Sequence, residues 1–176
     1  MTTLVDKVTA LCAAFDRAQV PHALGGALAL AYATEEPRGT RDIDVNVFAT
    51  TDTALEVFDA LPSGVVWSEA DVHDAQRDGQ VRLWWDDTPV DVFFAEDRFH
   101  DDVNHRCRSV PFAGGTVRVL SAEDLAVFKA MFDRPKDWVD IATMVEAGAL
   151  DVEAAAHRLG HLVGDDHRVT RLRELG

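Results

Sequence analysis

Arg38-Gly39-Thr40-Arg41-Asp42-Ile43-Asp44-Val45-Asn46-Val47-Phe48 is the stretch on which the reading of this chain turns. From Asp42 onward it alternates without a break. Side chains along a strand change faces at every residue, so Ile43, Val45 and Val47 share one face and Asp42, Asp44 and Asn46 the other. The lead-in from residue 35 to residue 41 is polar, contains Pro37 and Gly39, and reads as a loop. A polar strand face is by itself ordinary, and Asp42 with Asp44 is as easily a solvated surface as a site. Their company changes the balance. Aspartate is disfavoured in strands, yet Asp91 also sits inside an apolar, strand-like run, residues 90–94. Two carboxylates at i and i+2, joined by a third from a neighbouring strand, make an oxygen-rich site suited to a hard cation such as magnesium.

On the N-terminal side, residues 4–18 place Leu4, Val5, Val8, Leu11, Cys12 and Phe15 at helical spacing. Pro21 interrupts, and His22-Ala23-Leu24 leads as a short strand into Gly25-Gly26 and a helix over residues 27–33. On the C-terminal side, Thr51 or Asp52 caps a helix to about residue 60. Residues 81–85 and 90–94 form a hairpin across Asp86-Asp87-Thr88-Pro89, and residues 109–112 and 116–120 another across Ala113-Gly114-Gly115. From Ser121 the pattern is helical: Leu125, Val127, Phe128 and Met131 line one face and Pro135 closes that helix. A second helix covers residues 136–147, with Trp138, Ile141, Met144 and Val145 inward, and a third residues 151–161. The fold class is therefore α/β (α+β): a mixed, mostly antiparallel sheet of about five strands flanked by helices. Residues 1–120 are its core, and residues 121–176 a helical extension packed on it in a single compact unit.

With 176 residues, 47% of them hydrophobic, the chain is long enough for one globular domain with a real core. Seventeen basic against 31 acidic residues leave a net charge of -14, which repels polyanions and excludes extended duplex DNA as a partner. A single nucleotide is different, because metal ions and a few cations supply the missing positive charge. Cys12 and Cys107 have neither zinc spacing nor disulfide density, no leader pattern precedes the first helix, and no run approaches the ~20 apolar residues that cross a bilayer. The expectation is a cytoplasmic protein with no membrane partner. His157 and His161 share a helical face, but no glutamate follows His157. His100, His105 and Cys107 surround Asp101 and Asp102 in what reads as a solvated loop, so zinc is set aside. Trp67, Trp84 and Trp85 read as core.

The glycine pair of Leu24-Gly25-Gly26, the spacer, and the aspartate-apolar-aspartate strand led by Arg38-Gly39-Thr40-Arg41 resemble the signature of the DNA polymerase beta-like nucleotidyltransferases. The later segment with Lys129, Arg134, Lys136, Asp137 and Asp140 resembles the helical motifs of the bacterial abortive-infection (type IV toxin-antitoxin) toxin-like branch. The resemblance implies a nucleotidyltransferase fold and transfer of a nucleoside monophosphate from a nucleoside triphosphate, with magnesium or manganese held by Asp42, Asp44 and Asp91. It implies that Gly25, Gly26, Arg41, Lys129, Lys136 and Asp137 bind the nucleotide, and that a cognate antitoxin is a candidate partner. Each residue also has an ordinary reading. The glycines make a tight turn, Arg134 and Lys136 are helix-end charges, and Asp137 is either a partner of Lys129 or Lys136 or a helix-dipole acid. Lys129, in an apolar helical stretch, needs a partner. The acceptor stays open among RNA (a tRNA end), a small molecule and a protein. An aminoglycoside-type antibiotic nucleotidyltransferase explains the acidity best. A catalytically silent interaction module on the same fold is the remaining alternative.

Overall fold

The computed structural model describes residues 2–95 and 97–176. Helix α1 (Leu4–Arg17) starts at a reciprocal cap between Thr3 and Asp6, and buries Val8, Leu11, Cys12 and Phe15. Strand β1 (His22–Leu24) runs through the glycine pair into α2 (Gly26–Thr34), and the loop of residues 35–42 returns the chain to β2 (Ile43–Val47). A 3-10 turn (Thr51–Thr53) precedes α3 (Ala54–Asp59); then come β3 (Val65–Val66), α4 (Glu69–Asp78), β4 (Gln80–Trp85) and β5 (Thr88–Phe94). After them lie α5 (Arg98–Arg106), the hairpin β6 (Arg108–Phe112) and β7 (Gly115–Val119), and the helices α6 (Ala122–Phe132), α7 (Pro135–Glu146), α8 (Val152–Val163) and α9 (His167–Arg173).

Among the described residues the sheet has seven strands, ordered β3-β4-β5-β2-β1-β7-β6, where about five were expected. The six strand segments read from the sequence are all present, joined by β3, whose two residues are too few for any periodicity to register. Pairing is antiparallel except for β1 with β7 and β2 with β5. Asp42 lies just outside β2, which begins at Ile43. The solvated loop expected around Asp101 is helix α5, a surface helix that buries only Val103. Helices α4 and α9 were not expected either. In α4 only Val72 and Ala75 are buried, too sparse an apolar stripe to read. Pro135 opens α7 instead of closing α6, which ends when Asp133 turns left-handed at φ +54°. Trp84, expected in the core, is 49% exposed.

One apolar cluster joins the sheet and helices, from Leu11 and Phe15 through Ile43, Val45, Val90 and Val92 to Ile141, Met144 and Leu159. Helix α2 packs on β2 and β7 and against α6 and α7, so the polar face of β2 opens into a cleft bounded by those helices. Buried Asp124 fastens the C-terminal helices: Arg106 of α5 donates to both its oxygens at 2.9 and 2.8 Å, and Arg158 of α8 adds a third bond at 3.0 Å. Buried Lys7 donates to the Trp85 carbonyl at 2.8 Å and to Thr88 Oγ1 at 3.0 Å, holding the β4–β5 hairpin to α1.

Candidate active site

The Gly25 amide donates to the Asp44 carbonyl at 2.9 Å, tying the turn after β1 to β2. Gly26 has φ +50°, and a Cβ there would lie 1.8 Å from Asp44 Oδ2. Only glycine lets the start of α2 and the Asp44 carboxylate come this close. No side chain caps that helix start, and Gly26 and Ala27 line the cleft.

Asp44 on β2 stands opposite Asp91 on β5, and Asp91 stands opposite Arg82 on β4. Residues directly opposite on paired strands point to the same face, so Asp44, Asp91 and Arg82 form a row across the sheet. Asp42 sits at the entrance to β2, its carboxylate accepting from the Thr40 hydroxyl. Burial, then the charges of Asp42 and Asp91, push the Asp44 carboxyl up to about 6, while Lys129 and Lys136 pull it the other way. Asp91 is differently placed: Arg82 Nε and Nη2 donate to its two oxygens at 2.7 Å each.

The cleft encloses about 1310 Å³, and Arg38, Arg41, Lys129, Arg134 and Lys136 line its basic flank. Arg41 and Lys136 are exposed, while Lys129 is buried. Lys129 donates to Asp140 Oδ2 at 2.6 Å, with Asp137 Oδ1 at 3.8 Å. Arg38 takes the other oxygen of Asp140 at 2.6 Å, and Arg134 forks onto Asp137 at 2.6 and 3.1 Å. The partner that the sequence required for Lys129 is thus chiefly Asp140, and Asp137 both neighbours Lys129 and caps α7. The lining is also acidic, with Asp71, Asp74 and Asp78 of α4 and with Asp97; Arg77 bridges Asp74 and Asp78 at 2.8 and 2.6 Å, and Asp71 caps α4 through Ser68.

Sequence reasoning missed Arg82, the bridge from Arg38 to Asp140, and this acidic lining. Arg82 had a signal. A two-residue turn at Asp86-Asp87 pairs Trp85 with Thr88 and therefore Arg82 with Asp91, whereas the four-residue turn read from the sequence would have set Trp84 there. His157 and His161 meet edge-to-face, their ring centroids 4.3 Å apart, at a separate depression between α8 and α9. Trp84, Trp85 and Tyr32 do not line the cleft.

Among the described residues, no three histidine, cysteine, aspartate or glutamate side chains are arranged to hold a metal ion as they stand. The donor chemistry nevertheless fits a hard divalent cation. The cluster is all oxygen, and the charges of Asp42 and Asp91 add to the effect of burial in raising the Asp44 carboxyl.

Ten solved chains match this fold. The crystal structure of ANT(2'')-Ia in complex with adenylyl-2''-tobramycin aligns with a TM-score of 0.57 at 18% identity, over 98% of this chain and 96% of that one. The solution structure of the antibiotic-resistance factor ANT(2'')-Ia aligns at 0.56 and 18%, over 98% and 90%. An antigenic nucleotidyltransferase-like protein from Paracoccidioides brasiliensis aligns at 0.49 and 15%, over 96% and 92%. At these identities the likeness to ANT(2'')-Ia is one of fold. No curated protein matches the sequence. The family of nucleotidyltransferases of unknown function (DUF6036) matches residues 2–165, nearly the whole chain, and the protein belongs to that family.

Proposed function

We propose that this nucleotidyltransferase moves a nucleoside monophosphate from a nucleoside triphosphate to an acceptor hydroxyl or phosphate, releasing pyrophosphate, with Asp42, Asp44 and Asp91 as its metal-binding and catalytic carboxylates. The observation that carries this reading is the register of Asp44 beside Asp91, with Asp42 at the strand entrance and the glycine turn against Asp44. A magnesium or manganese ion bound by those carboxylates would neutralise triphosphate charge. The chain supplies the rest. The open amides at the start of α2, reached past Gly25 and Gly26, are suited to phosphate oxygens. Arg41 and Lys136, exposed on the basic flank, supply positive charge, while Lys129 and Asp137 shape that flank through their ion pairs. Asp91 is the carboxylate to accept the proton of the attacking hydroxyl.

The acidic lining favours a small cationic acceptor over RNA, since a polyanion would meet Asp71, Asp74, Asp78 and Asp97. The fold shared with ANT(2'')-Ia is consistent with that reading, and an aminoglycoside is a reasonable first acceptor to try. A toxin role acting on RNA under an antitoxin rests on the segment from Lys129 to Asp140 alone and is the second reading.

The test is isothermal titration of each nucleoside triphosphate with and without magnesium, into wild type and an Asp42→Ala, Asp44→Ala double variant. Magnesium-dependent binding lost in the variant supports the site and identifies the preferred base, and labelled-nucleotide transfer then screens acceptors. Binding to neither protein under any condition sinks the reading and favours a silent module on this fold.

A further inference from the structure

The carboxylate group read as a metal site is one arm short in this arrangement, because Arg82 holds both oxygens of Asp91 at 2.7 Å. A bidentate fork is the strongest bond a guanidinium makes with a carboxylate, and the strand register leaves Arg82 no nearer acid on β5. The two partners differ in freedom. The Arg82 side chain is 54% exposed and that of Asp91 only 14%, so the arginine, on its long stem at the open face of β4, is the one able to leave.

We propose that Arg82 is the resident counter-ion of the site, competing with the divalent cation for Asp91, so that cation binding requires the guanidinium to swing away. This rests on the metal-site reading above and adds to it a residue that sets how tightly the ion is held. The same contact has another interpretation, in which Arg82 merely keeps Asp91 in a ligating orientation. The two have opposite signs. Removing a positive charge next to a cation site strengthens cation binding, whereas removing an orienting partner weakens it.

The experiment uses Mn2+ alone as the probe, with free ion followed by its electron paramagnetic resonance signal. The full-length wild type is compared with Arg82→Gln, Arg82→Lys and the Arg82→Gln/Asp91→Asn double variant, and thermal unfolding without metal checks that each is folded. Arg82→Gln should bind Mn2+ about tenfold tighter or more. Arg82→Lys, which keeps the charge but loses the fork, should lie between it and wild type, and the double variant should lose the gain. If Arg82→Gln does not fold, Arg82→Lys decides: tighter binding than wild type supports competition, and equal or weaker binding overturns it. Binding by wild type that Arg82→Gln leaves unchanged or weakened overturns the competition and leaves the metal site standing. No binding in any of the four proteins overturns both.

Discussion

Asp44 bears the clearest conflict between stability and chemistry in this protein. Its carboxyl, ordinarily at 3.8, titrates near 6 in the fold, mainly because it is buried and then because Asp42 and Asp91 lie close. Between those two values the folded state keeps a proton that the unfolded chain has released. Stability from this group therefore falls as pH rises through that window, and the full penalty is present above it. Asp44→Asn removes the penalty. The variant should be more stable than wild type at pH 8 by up to about 2 kcal/mol, a figure reduced for the exposed part of the side chain, with no gain at pH 4. Urea unfolding at the two pH values checks this. The same variant should lose nucleotidyl transfer by at least about a hundredfold, as expected for a metal-holding carboxylate. A variant that is both less stable at pH 8 and fully active would remove Asp44 from the site.

The connection from β1 through the glycine pair to α2 makes the close approach possible, and its two glycines are not equivalent. A Cβ on Gly26 would meet Asp44 Oδ2 at 1.8 Å and Cγ at 2.4 Å, in a left-handed conformation, whereas one on Gly25 would meet Asn46 Nδ2 at 2.8 Å and Leu120 Cδ1 at 3.5 Å. Gly26→Ala should cost about 1–3 kcal/mol and abolish nucleotide binding by displacing Asp44. Gly25→Ala should cost less, since Gly25 has a negative φ of -113° and the nearest atom to its Cβ, a side-chain nitrogen, would be 2.8 Å away. Denaturation midpoints and nucleotide titration of both variants separate the two. Between α6 and α7, Lys129 is the shared cation of Asp140 and Asp137, and each acid has an arginine besides. Lys129→Met should therefore destabilise by about 2 kcal/mol, less than the loss of a buried ion's sole partner. A Lys129→Met/Asp140→Leu double variant should recover part of that loss, and a thermal-melt cycle over the four proteins measures the coupling. Additive effects would mean that the pair contributes nothing beyond packing.

Across the protein as a body, a net charge of -14 surrounds a cleft whose cations are largely engaged by their own acids. Polyanions gain little from such a surface. Wild-type protein should bind tRNA more weakly than about 10 μM at physiological salt, with little tightening as salt is lowered. Filter binding across a salt series measures this, and tight binding with a steep salt slope would return the toxin reading to first place. Among the described residues no helix is long and apolar enough to cross a membrane.

The acidic strand, the glycine pair before it, the third aspartate and most helices were legible in the residues, because each is a local pattern. Alternation marks β2 and β5, spacing of three and four marks α1, α6 and α7, and glycine marks a backbone conformation that other residues resist. The elements that escaped are short or mostly polar: β3 has two residues, and α4 and α5 bury almost nothing. The companions of the site escaped for a different reason. Arg82 faces Asp91 only through a hairpin register that a two-residue error in turn length misassigns, and Arg38 reaches Asp140 across 102 positions of sequence. The chain alone thus determined which reactive and charged groups the fold had to place. Folding determined which charges neutralise one another, because ion pairing depends on distances of a few ångströms between segments that no local pattern brings together.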